Sequence, residues 1–512
     1  MGKIITTDVL IIGGGITAKR AARIISEHYS VTLVCDGLGA SPYVHGLNVP
    51  LGDDDSQELF FSDTLESGKH QNDKALVRAL TEGAEAIKRE FYDDFDRKPD
   101  GSFDLLKPLG SSVPRVASID GRTGARILRD LSSISGCTVI ENARALELIK
   151  EDDSVIGAYI YDKAKALHFP IYARAVLIAS GGFGGIFRFS TNSCDIGGDG
   201  VAMAHLAGAE LTDMEFIQYE PTVAVSPAAL IGRSIITTML YEGAVMRNNR
   251  GERFMDERVG KDELSLGIAR EMLRGGATEG GGVYYDMTAV PYDMLTGKYK
   301  DYYQRYKNQG IDISRTPAEI APAPHTTMGG IRINCSCRTS LDGLFAAGEA
   351  AGGLHGANRL GGNAGLEVLV FGDLAGRSIL EHLDKGLGRA ITPSHPEEYP
   401  DTPCDTVAER GELADLLESA LGVIKCESDM LRAKKRIDKI IESCTRGDRS
   451  YDRIRLRNDA VVARAVLIAA LERRESVGAH IRSDAIPPCE EKYRIILQNK
   501  NGDIAVKREA IK

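Results

Sequence analysis

The stretch G-G-G-I-T-A at residues 13–18 directly follows an apolar run and directly precedes a helical pattern. Its spacing is G-x-G-x-x-A, in which each position has a physical reason. Gly13 permits a tight turn, Gly15 lets the backbone approach a pyrophosphate, and the small Ala18 allows close packing of helix on strand. The helix N-terminus adds free N–H groups and a positive dipole. An acid, Asp36, stands about 20 residues on at the end of a second strand, where a ribose hydroxyl would be bound; a displacement by one would put Cys35 there instead. A nucleotide-binding turn is therefore expected. The stretch M-E-F-I-Q-Y-E-P-T at 214–222 raises a separate question. Glu215 and Glu220 flank what otherwise reads as a buried strand, and Pro221 biases Glu220 towards extended or turn geometry. A carboxylate there is either solvated at a strand's end or held for chemistry.

The elements that must position these residues are legible as patterns. A strand from Asp8 to Ile12, a helix through Ala21 and Ile24 towards Glu27, and a strand from Val31 to Val34 form a β-α-β unit. Helical spacing recurs over 74–91 and 124–134. A second apolar strand, Ala175 to Ala179, again runs into glycines, S-G-G-F-G-G. From about 226 to 324 the texture changes to short amphipathic pieces broken by glycine and tyrosine, as in an inserted domain. Glycine density rises from 329 to 372, and a loop rich in Pro, Glu and Asp follows at 392–405. Residues 411–443 and 453–475 read as two long amphipathic helices, and the tail after Pro488 is mixed and polar.

Bulk properties narrow the function classes. A chain of 512 residues predicts two to four domains. The net charge of -10 argues against a nucleic-acid partner. No apolar run approaches the roughly 20 residues that span a bilayer. The N-terminus enters a strand and not a signal peptide, which points to a cytoplasmic protein, peripheral to a membrane only through a partner. Nine scattered cysteines suit reduced thiols, and the Cys335/Cys337 pair has no second pair nearby, so neither a metal site nor an iron–sulfur cluster is expected.

Taken together, the ordered motifs resemble the flavoprotein family of fumarate reductase, L-aspartate oxidase and the succinate dehydrogenase flavoprotein subunit. The resemblance is carried by G-G-G-I-T-A, S-G-G-F-G-G-I-F, T-N-S-C-D-I-G-G-D-G, M-E-F-I-Q-Y-E-P-T, G-E-R-F-M, H-T-T-M-G-G-I, H-G-A-N-R-L-G-G-N-A and R-R-E-S-V-G-A-H-I-R-S-D, which span most of the chain. It implies an α/β fold with a discontinuous Rossmann-like FAD-binding domain (1–225 and 326–391), an inserted α+β capping domain (226–325) and a C-terminal helical domain and tail (392–512). It further implies that Gly13, Gly15 and Ala18 contact the pyrophosphate, that Ser180, Gly181 and Gly182 form a second FAD-contacting turn, and that Asp199 is a cofactor-binding acid. Glu349, in L-F-A-A-G-E, would bind the ribityl chain, and Asn363 and Ala364 would face the flavin. Where membrane-bound relatives attach FAD through a histidine this chain has Ala40, so noncovalent FAD is expected; His45 stands where the family usually has glutamine.

The same resemblance assigns a substrate carboxylate to His325 and Arg359, the latter suited by its bidentate, permanently charged fork. At the other end the chain departs from the family. Glu220 replaces a substrate-binding histidine, the family's Thr-Glu pair aligns to Ile236–Thr238 without its acid, and Thr237 and Thr238 remain as substrate-binding candidates. The proton-delivering arginine aligns to Lys261, with Arg258 as a stand-in or a surface charge. Lysine can donate a proton but lacks the fork, and its relay partner is gone. Glu220 either pairs with a cationic substrate group or is neutralised by Lys261 or a nearby arginine; beside a bare carboxylate it would be repulsive. The expectation is an FAD-dependent oxidoreductase of the fumarate reductase and succinate dehydrogenase type. It would act on CH–CH bonds of a small carboxylate, moving hydride between flavin N5 and a carbon beside a carboxylate, with altered substrate preference. The alternatives are L-aspartate oxidase-like amino-acid oxidation, the flavin subunit of a complex with an iron–sulfur or other electron-transfer partner, and a relative that has lost catalysis. An oligomer is expected.

Overall fold

A computed structural model describes residues 4–193, 195–389, 404–446, 449–500 and 502–511. The expected boundary between 391 and 392, and the acidic, proline-rich loop up to 403, lie outside the described residues. Three apolar strands, Val31–Val34, Ile5–Ile12 and Leu167–Ile178, lie side by side and parallel at the centre of a seven-stranded sheet. Along Val9–Ile12, Val31–Val34 and Ala175–Ile178 every side chain is buried, so both faces are covered, as a parallel sheet requires. Ile12 is level with Val34 and Ile178, and Ile178 is level with Ala346 of the short strand Leu344–Ala346. The carboxyl ends of four parallel strands therefore finish at one edge, where open α/β sheets bind ligands.

Two helices back this edge. Ile16–Ile25 and Asn363–Asp384 pack so closely that a Cβ on Gly376 would lie 3.1 Å from Ile24 Cβ and 3.3 Å from the Ala21 backbone. Arg20, 3% exposed, ties this seam with bonds of 2.6–2.8 Å to Asp373 and 2.5–2.8 Å to Glu90. The helix Lys74–Phe91 carries Glu90 and forms as its spacing predicts, capped by the Asp73 side chain on the Ala75 N–H at 3.0 Å.

A second core, with Leu109 the exception, is drawn from residues between Ala224 and Ile320. It backs a four-stranded antiparallel sheet in the order Ile217–Ala224, Ala318–Thr327, Val283–Asp286, Val245–Arg247. The first two strands link the large core to this second one, so the residues between them, expected above to form a cap, sit on that connection.

The expected helix over 411–443 is two, Val407–Ala420 and Glu427–Arg446. Gly422 and the β-branched Val423 and Ile424 interrupt it, and Ile424–Lys425 pairs instead with Ile481–Arg482. The third helix, Tyr451–Glu472, follows as read. The polar tail is a hairpin, Tyr493–Lys500 with Asp503–Ala510, and it extends a second, five-stranded sheet by pairing with Glu210–Thr212. Glu215 is structural: fully buried, it accepts from Arg473 Nε at 2.7 Å, while Arg473 also reaches Glu475 at 2.9 Å and the Tyr493 carbonyl at 3.0 Å. Among the described residues no helix is long and apolar enough to cross a membrane.

Lys425, 1% exposed, gives a test of how the helical part meets the cap. Its Nζ donates to the Gly422 carbonyl at 3.1 Å and lies 5.7 Å from the centroid of the Tyr219 ring, whose hydroxyl donates to the Leu421 carbonyl. Burial alone pulls its pKa down from 10.5 to about 7. Between those values the unfolded chain holds a proton that the folded one has released, so stability rises with pH across this window and the penalty is complete below it. Lys425→Met should therefore raise stability more at the acid end of the window than at the alkaline end, read by urea unfolding at both; equal gains would overturn this account.

Candidate active site

The edge of the parallel sheet opens into a cavity with about 1080 Å³ of empty space, lined among others by Gly13, Gly15, Asp36, Ser180, Gly181, Asp199, Glu349 and Ala364. Gly13 has φ 132°, and a Cβ there would fall 2.1 Å from the Ala179 carbonyl oxygen, so only glycine closes this turn. Ser180 Oγ is buried with no hydrogen-bond partner. Glu349 Oε1 accepts from the Thr327 N–H at 3.0 Å and lies 3.3 Å from its hydroxyl, so Oε2 is the oxygen that can meet a ligand. Burial pushes the Glu349 carboxyl up. Ala364 sits in the first turn of its helix, where N–H groups lack helical acceptors. An orphaned hydroxyl, a glycine floor and open first-turn N–H groups fit the phosphate and ribityl oxygens of the FAD that the resemblance implies.

Some expected contacts are placed otherwise. Ala18, Gly182 and Asn363 are not in the cavity wall. Ala18 is fully buried at the helix–sheet seam, in the packing role that its size suggests. A Cβ on Gly182 would lie 2.0 Å from Thr327 Oγ1 and 2.8 Å from Glu349 Oε1, so this glycine makes room for the glutamate. Asn363 bonds Asn48 at 2.6 Å and Thr64 at 3.2 Å, and its own N–H goes to the Leu360 carbonyl at 3.2 Å; it braces the turn that presents Ala364. Asp36 does reach the cavity, but as part of a charge chain: Arg144 bridges it at 2.6 Å to Asp199 at 2.7 Å, and Lys163 takes its other oxygen at 2.6 Å. Burial raises the Asp36 pKa, yet the bonds from Lys163 and Arg144 outweigh it and hold the carboxyl below its usual range. Arg144 is a lone arginine opening a strand, and nothing in the sequence marks it. Glu367, paired with His355 at 2.9 Å, is a further wall residue without a sequence signal of its own.

Around Arg359 lies a second group of residues. Arg359 is 6% exposed; Nε has no partner and Nη1 makes one long bond of 3.4 Å to the Leu360 carbonyl. Burial lowers its pKa, and only the more distant charges of Glu349, Glu367 and Glu220 act against that. Gln218 fixes the loop, donating to the Arg359 carbonyl at 2.8 Å and to Asn358 Oδ1 at 2.9 Å, and Asn358 Nδ2 donates to Asp262 at 3.2 Å. One chain of bonds thus ties the Arg359 loop to the first turn of the cap helix Lys261–Glu271.

His325 lies on the strand returning from the cap. Nδ1 is 2.7 Å from the Thr191 hydroxyl and Nε2 is 3.9 Å from Glu220 Oε2. Burial, then the charges of Lys261, Arg359 and His45, hold its pKa well below 6.5, so the ring is neutral at pH 7. With the Thr191 proton directed to Nδ1 at 2.7 Å rather than to the Pro324 carbonyl at 3.4 Å, Nε2 carries the N–H that can donate to a carboxylate.

Glu220 and Lys261 form an ion pair through Oε2 and Nζ, with 6% and 17% of their side chains exposed. Glu220 Oε1 lies 3.1 Å from the Thr222 hydroxyl. Its direction follows from the backbone: the pairing of Ile217–Ala224 with Ala318–Thr327 shifts register between Glu220 and Val223, at Pro221, which cannot donate to the ladder. Of the two readings left open for Glu220, it is neutralisation by Lys261 that the geometry realises. Arg258 is exposed on the cap and is a surface charge. Thr238 Oγ1 contacts Tyr299 OH at 3.4 Å, and Thr237 is buried in the cap beside it. Thr191, Gln218 and Asn358 all lie inside motifs that carry the resemblance, but their task is to orient neighbours, which no residue type announces.

Comparison with known proteins places this geometry. The family model described as "FAD binding domain" matches residues 8–364, and that described as "Fumarate reductase flavoprotein C-term" matches residues 410–495. The chain is 33% identical to a fumarate reductase (CoM/CoB) subunit of Methanothermobacter marburgensis, with 96% of this chain and 97% of that one covered. It is 32% identical to an L-aspartate oxidase of Xylella fastidiosa, covering 93% and 91%. Among solved structures, Mycobacterium smegmatis Sdh1 in complex with UQ1 superposes with TM-score 0.84 at 27% identity, over 99% of this chain and 94% of that one. If Glu349 meets the cofactor through Oε2, Glu349→Leu should weaken flavin retention by roughly tenfold or more. Flavin released per protein after dialysis measures this, and undiminished retention would remove Glu349 from the cradle.

Proposed function

The chain belongs to the flavoprotein family of the fumarate reductases, succinate dehydrogenase flavoprotein subunits and L-aspartate oxidases; it is an FAD-dependent oxidoreductase, and we propose that it acts on the carbon–carbon bond beside a carboxylate of a small dicarboxylate. The observation that carries this reading is Arg359: a buried guanidinium with no salt bridge among the described residues, its loop tied to the cap helix that brings Lys261. A buried cation left in this state suits a site completed by an anion.

Bound FAD supplies the hydride donor and acceptor at its N5. Arg359 grips one carboxylate through its fork, and the neutral His325 adds an N–H from the side, so the adjoining carbon is fixed before reaction. Lys261 Nζ hands a proton to the second carbon as the double bond is reduced, and takes it back as the single bond is oxidised. Glu220 holds that ammonium in place, and after the transfer its carboxylate takes a proton from solvent and passes it to the neutral amine. A family arginine and its acid are thus replaced by a lysine and an acid from a different strand.

The amine-bearing alternative needs a carboxylate for the substrate ammonium, and the cleft carboxylate, Glu220, is already paired with Lys261. This favours a dicarboxylate without an amine over aspartate. The described cysteines are free and scattered, so we propose that electrons reach the flavin through an iron–sulfur or other electron-transfer partner. That the Methanothermobacter relative is named as one subunit of its enzyme is in keeping with such an assembly.

Two measurements test the reading. With reduced viologen as donor under anaerobic conditions, Lys261→Met should lower fumarate turnover by about 10²-fold or more with little change in KM. Glu220→Gln should lower it less, because the lysine stays in place. Unchanged turnover in Lys261→Met removes it from the chemistry, and turnover of aspartate but not fumarate transfers the assignment to amino-acid oxidation. Purification under native conditions should bring down an iron-containing partner; full activity of the chain alone with a natural carrier would argue against one.

A further inference from the structure

Two residues in a row, Lys69 and His70, hold left-handed backbone, each with φ 55°. Neither is glycine, so the turn that follows the helix Gln57–Ser67 is strained against their β-carbons. Strain of this kind persists only where the surroundings over-determine it, and it collects at functional sites.

The surroundings do fix this turn. Gly68 offers its carbonyl to the Ala357 N–H at 3.0 Å, and the Ser67 hydroxyl donates to the Asn358 carbonyl at 3.3 Å. A Cβ on Gly356 would fall 2.6 Å from the Gly68 oxygen, so the two backbones are in close contact. The turn is thus seated on the residues just before Arg359. His70 Nε2 returns to Glu66 at 2.8 Å, whereas Lys69 crosses to the cap helix. Its Nζ lies 3.5 Å from Asp262 Oδ2 and 3.7 Å from Glu263 Oε1, both in the first turn of Lys261–Glu271.

The two carboxylates differ. Glu263 is 59% exposed and solvated, so its pairing with Lys69 counts for little. Asp262 has 4% of its side chain exposed, and its Oδ1 accepts from Asn358 Nδ2 at 3.2 Å. Gly260 makes room for it, since a Cβ there would lie 2.6 Å from that oxygen. Among the described residues Lys69 is the one cation within ion-pair distance of Asp262. The Asp262 carboxylate is therefore a junction. One oxygen meets the residue before Arg359, the other meets Lys69, and the chain on its N-terminal side is Lys261. Without its cation a buried carboxylate is drawn towards water, and the helix start that carries Lys261 would move with it.

Resting on the dicarboxylate reading above, we propose that Lys69 is a positioning residue: by neutralising Asp262 it fixes the placement of Lys261, which hands over the proton, relative to Arg359, which grips the substrate. Gln218 holds the Arg359 loop by its own bonds, so anion binding depends on Lys69 less than proton delivery does.

The test uses the full FAD-loaded chain. Asparagine suits left-handed backbone better than lysine but lacks the charge and the reach, whereas arginine keeps both. Lys69→Asn should speed amide hydrogen exchange in peptides over 258–266 and 356–360 on the order of tenfold. It should lower the kcat for fumarate by about tenfold or more and leave the malonate Kd, read from flavin absorbance, within about twofold. Lys69→Arg should keep exchange and kcat near the parent's. Asp262→Asn should cause a similar loss, and adding Lys69→Asn to it should cost nothing further. Lys69→Met takes the place of Lys69→Asn if the latter does not fold. A lysine that serves only the turn predicts unchanged or slower exchange in Lys69→Asn, and that result overturns the proposal. So does faster exchange with unchanged kcat, a loss that arginine also shows, or a loss that adds in full to that of Asp262→Asn. A parent that does not reduce fumarate overturns the reaction assigned above; the exchange at the two segments then decides alone whether Lys69 holds the junction.

Discussion

Much of this structure depends on keeping a guanidinium buried without neutralising it. A carboxylate in direct contact with Arg359 would solve the burial problem and destroy the site. The effective cost of desolvating one ion is several kcal/mol, and it is lowered here by charges that stay at a distance. Glu349, Glu367 and Glu220 all act on Arg359, yet each is held by another partner: Thr327, His355 and Lys261 respectively. The arrangement requires those partners to be rigid, which explains why so many of the neighbouring polar side chains bond to backbone.

The same logic accounts for the exchange at the other wall. A glutamate in place of a histidine would repel a substrate anion if it stood alone, and a lysine in place of an arginine would lose its acid. Each substitution supplies what the other lacks. The bulge at Pro221 makes this workable, because it turns Glu220 out of the regular ladder towards the helix start at Lys261. Neither change is intelligible singly, and together they leave a lysine ammonium held by a carboxylate.

The sequence made the cradle legible in proportion to how much of it is backbone. Gly13, Gly15, Ser180 and Ala364 lie at turns that follow apolar strands, so spacing and flanking pattern locate them. Side-chain networks were less legible. The Arg144 bridge between Asp36 and Asp199 joins residues far apart in the chain, and no local pattern encodes it. Alignment by position puts the lost acid at Ile236–Thr238, the start of a short 3-10 helix, whereas the carboxylate beside Lys261 comes from the strand Ile217–Ala224. The helix read over 411–443 broke at Gly422–Ile424 because a partner strand, Ile481–Arg482, offered those residues a pairing that periodicity cannot anticipate.

The sheet edge that forms the cradle is assembled from distant parts of the chain. Its floor combines Gly13 and Asp36 with Ser180, Glu349 and Glu367, and the seam behind it needs Gly376 against Ile24. The hairpin reinforces the adjoining sheet, and Arg473 reaches its Tyr493 carbonyl and Glu215 together. A molecule held at that edge joins segments that are neighbours only in the folded chain, and so opposes their separation on unfolding.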